Sequence, residues 1–196
     1  MRKWLLPIAA IVMAGVAQAQ TPTPVRGTIA EVSADKLTLT KADGTSVTIG
    51  LLPNWVVSVM KPIGIEAIQP GSFIGTAEMP QEDGTGRSLE VHIFPPGVKI
   101  GEGHYGWDLK EGSMMTNGTV GEVTATPDGR KITVSYPGGT RTLTVPADVP
   151  IVEITNGTQD QAKPGIPAFI VSFPLPDGSQ GTGAVAIGEN GAAPPM

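Results

Sequence analysis

Two kinds of turn recur along this chain at a nearly constant spacing, and that spacing limits what it can build. Pro70-Gly71 is matched by Pro164-Gly165, Asp83-Gly84 by Asp177-Gly178, and Gly27 by Gly121, each pair 94 residues apart. Asp43-Gly44-Thr45 is matched by Gly138-Gly139-Thr140 at 95, one residue more. A fixed period of turn signals marks an internal repeat. Between the turns, apolar residues alternate: Leu37 and Leu39 in KLTLT, Val47 and Ile49 in SVTI, and Ile132, Val134 and Tyr136 in KITVSY. Period two, rich in Thr, Val and Ile, belongs to half-buried strands.

These patterns predict an all-β chain: two tandem small OB-like β-barrel domains, arisen by internal duplication and joined by a Gly-rich loop. The expected boundaries are 25–95 for the first repeat, 96–117 for the connecting loop and 118–188 for the second repeat, with a short N-terminal tail over 20–24 and a disordered tail over 189–196. A repeat of roughly 70 residues has a thin core of its own, so the two are expected to pack together.

The first nineteen residues carry a different message. Arg2 and Lys3 precede an apolar run from Trp4 to Ala17, and Ala17-Gln18-Ala19 supplies a small-x-small cleavage pattern. This is the layout of a secretory signal peptide, and the run falls short of the roughly 20 apolar residues that span a bilayer. Cleavage after Ala19 and a periplasmic location are expected. Without Arg2 and Lys3 the chain keeps 11 basic residues against 18 acidic ones. That balance lacks the phosphate-neutralising surface that nucleic-acid binding needs. With no cysteine, disulfides, thiolate nucleophiles and Cys-ligated zinc are all excluded.

The most distinctive stretch runs from SLEVHIFP (88–95) to GEGHYGWDLKEGSMMTNGTV (101–120). With the double β unit it resembles exported proteobacterial proteins that carry the domain of unknown function 5666. The resemblance covers nearly all of the chain after residue 19 and implies no activity. Relatives sometimes labelled metal-transporter permeases do not fit this sequence, because a permease needs several spanning helices.

Gly101-Glu102-Gly103-His104-Tyr105-Gly106 also spells G-x-G-x-x-G. The dinucleotide fingerprint, however, requires a strand before it and a helix after it, and WDLKEGS leaves no room for a helix. Aligning Leu89–Phe94 with Gly183–Gly188 keeps Val91 and Ile93 opposite Val185 and Ile187 on the core side. Glu90, His92 and Phe94, on the other side, face Ala184, Ala186 and Gly188. One copy is therefore decorated where the other is bare, and folding of the connecting loop over that face, with Phe94 and Trp107 filling the seam, is the simplest reason.

The functional expectation is a non-catalytic binding or accessory module acting through the surface between 89–94 and 101–117. Phe94, Tyr105, Trp107 and Asp108 are its ligand-binding residues, with a small ligand, a sugar or another periplasmic protein as partner. A second expectation is a copper or zinc site built from His92 and His104 with Glu90 and Met114, since imidazole and thioether suit such ions where cysteine is lacking. A third is a carboxylate-based hydrolase using acids such as Glu90, Glu102, Asp108 and Glu111.

Overall fold

The computed structural model describes residues 22–196, so the signal peptide expected over 1–19 lies outside the described residues. Among them, the chain runs through β1 (Thr23–Val32), β2 (Lys36–Thr40), β3 (Ser46–Pro62), β4 (Phe73–Pro80), β5 (Gly86–Ser88), β6 (Val91–Ile93) and β7 (Gly103–Gly106). It continues through β8 (Met114–Thr126), β9 (Gly129–Tyr136), β10 (Gly139–Pro146), β11 (Ile151–Asn156), β12 (Pro167–Pro174) and β13 (Gln180–Gly188), with only 3-10 turns between. The all-β expectation holds. Among the described residues no helix is long and apolar enough to cross a membrane.

A closed five-stranded barrel is formed at the start of the chain, but not from neighbouring strands alone. β2 pairs antiparallel with both β1 and β3. β3 then runs parallel to β13, and β12 lies antiparallel to both β13 and β1, which closes the ring. Alternate residues point inward, so Ile29, Leu37, Leu39, Ile49, Val57, Ile170 and Val185 form one buried cluster. The ring therefore does not close within 25–95, because its last two strands come from 167–188.

The remaining strands pair in the same cyclic order. β9 is antiparallel to β8 and β10, β10 is parallel to β5, and β4 is antiparallel to β5 and β8. Ile74, Val91, Val120, Ile132, Val134, Leu143 and Val145 are packed within this second cycle. The length of β3 explains why the chain leaves the first ring after three strands. Its 17 residues would reach roughly 55 Å if straight, beyond the height of a small barrel. Its distal half, after a bend at Asn54 (φ 62), pairs antiparallel with β11 from Ser58↔Asn156 to Pro62↔Val152. The next strand, β4, is thus delivered to the neighbouring ring.

Met60, Val152, Phe169 and Met196 fill the junction, with Trp107 and Ala186 packed against them. The tail expected to be disordered is ordered here: Glu189–Gly191 forms a 3-10 turn and Met196 is 6% exposed. An apolar side chain with a hydrophobic cluster within reach buries itself there.

Three hairpin turns share one device. The carboxylates of Asp43, Asp83 and Asp177 each accept two hydrogen bonds from the residue two places on, one from its backbone N–H and one from its hydroxyl. The hydroxyl bond, followed by the backbone bond, holds each carboxyl below its ordinary value of 3.8. Because the folded value is the lower one, the stabilisation is present above the unfolded value and lost as pH falls through the folded value. NMR titration is expected to show all three carboxylates protonating later, on the way down from about pH 4, than the same residues in unfolded peptides.

Candidate functional site

The decorated strand reads differently in three dimensions from its sequence. Val91 points into the second ring's core, so Glu90 and His92 face the other way, and both are nevertheless buried. β4 switches partner from β5 at Glu78↔Ser88 to β6 at Gly75↔His92, which leaves the N–H of Ala77 without a ladder acceptor. Glu90 Oε1 fills that gap, accepting the Ala77 N–H at 2.6 Å, while Glu90 Oε2 lies 3.0 Å from His92 Nδ1. A buried carboxylate here substitutes for a missing backbone carbonyl.

His92 fits only because residue 75 is glycine. A Cβ at Gly75 would overlap both His92 Nε2 and Asn117 Oδ1. The loop after β6 lies against this face, where Asn117 Nδ2 donates to the carbonyls of Ile100 (3.3 Å) and Gly101 (3.1 Å) and to the Tyr105 hydroxyl (3.1 Å). Tyr105 in turn donates to Gly101 O, and burial raises its phenol above the ordinary value. Phe94 packs edge-on against Phe73 and His92, at centroid distances of 5.3 and 5.2 Å.

His104 belongs to a second polar group on the opposite side of the β4–β8 pair. Ile74 points into the core, and Thr76 and Glu78 share its side of β4, as Thr116 does on β8. His104 Nδ1 lies 2.8 Å from Thr116 Oγ1 and 3.6 Å from Glu78 Oε1, and its ring stacks on Tyr136. Glu78, with no exposed surface, accepts from Arg141 Nε at 2.8 Å. The other guanidinium nitrogens of Arg141 donate to the carbonyls of Gly84 and Thr85. One arginine thus ties a buried carboxylate to the 81–85 turn. Glu78 Oε2 has no partner.

This placement sets the residues of the metal expectation apart. His92 with Glu90 lies on one face of the β4–β8 pair, and His104 with Met114 on the other. Twelve residues of separation say nothing about which face of a sheet each occupies. Among the described residues, no three His, Asp or Glu side chains converge as a metal set.

The aromatic ligand residues are also engaged in packing. Trp107 lies 6.2 Å from Phe169 and 6.4 Å from Tyr105 between ring centroids, and Arg26 stacks over its ring at 5.8 Å. The seam is therefore Trp107 on Phe169, with Phe94 packed elsewhere. Asp108 forms a bidentate pair with Arg26, at 2.9 and 2.8 Å, on an exposed rim. Together they clasp the β7–β8 hairpin to the first ring. Of the other acids suggested by the sequence, Glu102 and Glu111 are exposed and unclustered with Glu90. Trp107→Ala is expected to cost about 3 kcal/mol, the low end for deleting a large aromatic because Trp107 keeps some exposure. Chemical denaturation checks this, and an unchanged midpoint would make the ring a free platform.

Two clefts open elsewhere. One, of about 530 Å³, is lined by Pro80, Gln81, Glu82, Asp83, Thr85, Arg87 and Thr144. The other, of about 500 Å³, is apolar and lies at the junction near the last residues of the sequence. Neither is lined by a residue of the expected ligand-binding or metal sets. No known protein family, curated protein or solved structure matches this chain.

Proposed function

We propose that the protein is an exported, periplasmic, non-catalytic binding module made of two OB-like barrels that have exchanged their last two strands. The strand order supports the barrel reading. In each ring the first three strands form a meander, the third runs parallel to the fifth, and the fourth returns beside the first. Duplication is supported by equivalent turns: Gly71 and Gly165 have φ of 86 and 88, and β4 and β12 begin 94 residues apart. The pairing also refines the repeat. Gly27 lies beside Thr40 as Gly118 lies beside Ser135, so Gly118 is the counterpart of Gly27 where sequence spacing selected Gly121.

The observation that carries the binding reading is the position of the polar cleft. OB-like barrels take ligands across their second and third strands and the loops joining the first to the second and the fourth to the fifth. The 81–85 turn joins the fourth and fifth strands of the second ring, and Thr144 is on its third. Amide, carboxylate, hydroxyl and guanidinium groups line the cleft, a set suited to the hydroxyls of a neutral sugar. Arg141 fixes the turn from inside, so the cleft is held ready before any ligand arrives.

NMR titration with a panel of neutral oligosaccharides is expected to move the amides of 81–87 and 144. Arg87→Ala is expected to abolish those shifts while changing stability by no more than about 0.5 kcal/mol, as usual for an exposed residue. Shifts centred on other residues, or binding unaffected by Arg87→Ala, would refute the assignment.

A further inference from the structure

We propose that the apolar groove at the junction of the two rings is a docking site for an extended, proline-containing segment of another protein, guarded by this chain's own residues 192–196. The groove goes beyond the sugar-binding reading and lies apart from the 81–85 cleft. One wall is built from Met60, Pro62, Ile63 and residues 149–152, and the opposite wall is the strap Ala192, Ala193, Pro194 and Pro195.

The strap shows what chemistry the groove accepts. Ala192 has φ −64 and ψ 151, the polyproline II geometry that proline-rich ligands hold without losing further chain entropy. Its backbone lies directly on Gly188, where a Cβ would overlap Ala192 O. Met196 is buried among Met60, Val152 and Phe169, and its backbone oxygen accepts from Arg26 Nε at 2.8 Å. Trp107, packed against the same cluster, has a buried Nε1 with no hydrogen-bond partner. Phe169, Trp107 and Arg26 thus surround the seat of Met196 beside the groove, and aromatic rings, an indole N–H and a guanidinium are features by which proteins grip the carbonyls and rings of a proline-containing peptide.

The attachment is light enough to be displaced. Among the described residues, the strap donates only one backbone hydrogen bond, from Ala192 to Glu189 O, and the rest is side-chain burial plus one arginine contact. A tethered segment of this kind competes at an effective concentration in the millimolar range. A partner therefore needs a matching segment with better anchors, not a new surface.

The test uses the protein without residues 1–19 and a labelled synthetic peptide of residues 188–196, GENGAAPPM. A variant lacking Ala192–Met196 is expected to bind the peptide saturably below about 1 mM, by fluorescence anisotropy and with a change in Trp107 emission. The chain with its strap is expected to bind at least about tenfold more weakly, because its own segment competes. Should the deletion variant fail to fold by circular dichroism, Met196→Asp in the full-length strap releases the anchor and is expected to gain the same binding. A folded variant showing no saturable binding, or equal binding with and without the strap, overturns the proposal. A dimer exchanging straps in the absence of peptide, seen by light scattering, would assign the groove to a second copy and overturn it too.

Discussion

Removing residues 167–196 is expected to unfold the first ring and leave the second standing. The deletion takes away β12 and β13, two of the five strands that enclose Ile29, Leu37, Leu39 and Ile49. Both free edges of the β1–β2–β3 meander would then carry unpaired N–H and C=O groups, and one face of its core would meet water. A three-stranded remnant with a stripped core has neither the burial nor the pairing to hold. The second ring is contiguous from Phe73 to Pro146 and loses no strand. Amide hydrogen exchange is expected to show protection gone across 23–57, and retained in β8, β9, β10 and the 58–62 end of β3 that pairs with β11. Protection surviving in 23–57 would mean that those strands close their ring another way.

Arg141→Ala is expected to cost about 3–5 kcal/mol, the range for stripping one partner from a buried ion pair. Glu78 has no exposed surface, and among the described residues Arg141 is its only cationic partner at hydrogen-bond distance. His104 sits farther off, at 3.6 Å. Truncation would leave a buried carboxylate with the weaker Thr116 hydroxyl contact at 3.4 Å and His104 at 3.6 Å, and also release the carbonyls of Gly84 and Thr85. For a chain of this size the loss corresponds to a fall in Tm of roughly 6–20 °C. Replacing both partners together, Glu78→Met with Arg141→Met, is expected to recover most of it, because apolar replacement of a buried pair is often neutral. That double variant would still leave the 81–85 turn unanchored, so stability and cleft order would separate.

The strands and their turns were legible in the sequence because period two and the Asp-Gly signals are local. Even the facing of Val91 against His92 followed from comparing residues 89–94 with 183–188, and the structure agrees. Strand partners were not legible, since β12 presents β1 with the same alternation that β4 would. The sheet face of each histidine was lost for the same reason, as nearness in sequence carries no information about facing. The sequence places His92 on the face under the connecting loop, and its burial there depends on Gly75 making room and on the loop that Asn117 holds over it. Glu78 and Arg141 were within reach. Each sits in phase with a core residue, Ile74 and Leu143, and a charge in phase with a core stripe calls for a buried partner.

The central claim is that the rings are completed by exchanged strands, and cross-strand nuclear Overhauser contacts from β1 test it most directly. The account predicts contacts pairing Val25 with Ile170 and Gly27 with Ala168. It also predicts contacts pairing Ile74 with Gly118 and Thr76 with Thr116 across β4 and β8. Contacts running from β1 to β4, as two separately closed tandem barrels require, would contradict it.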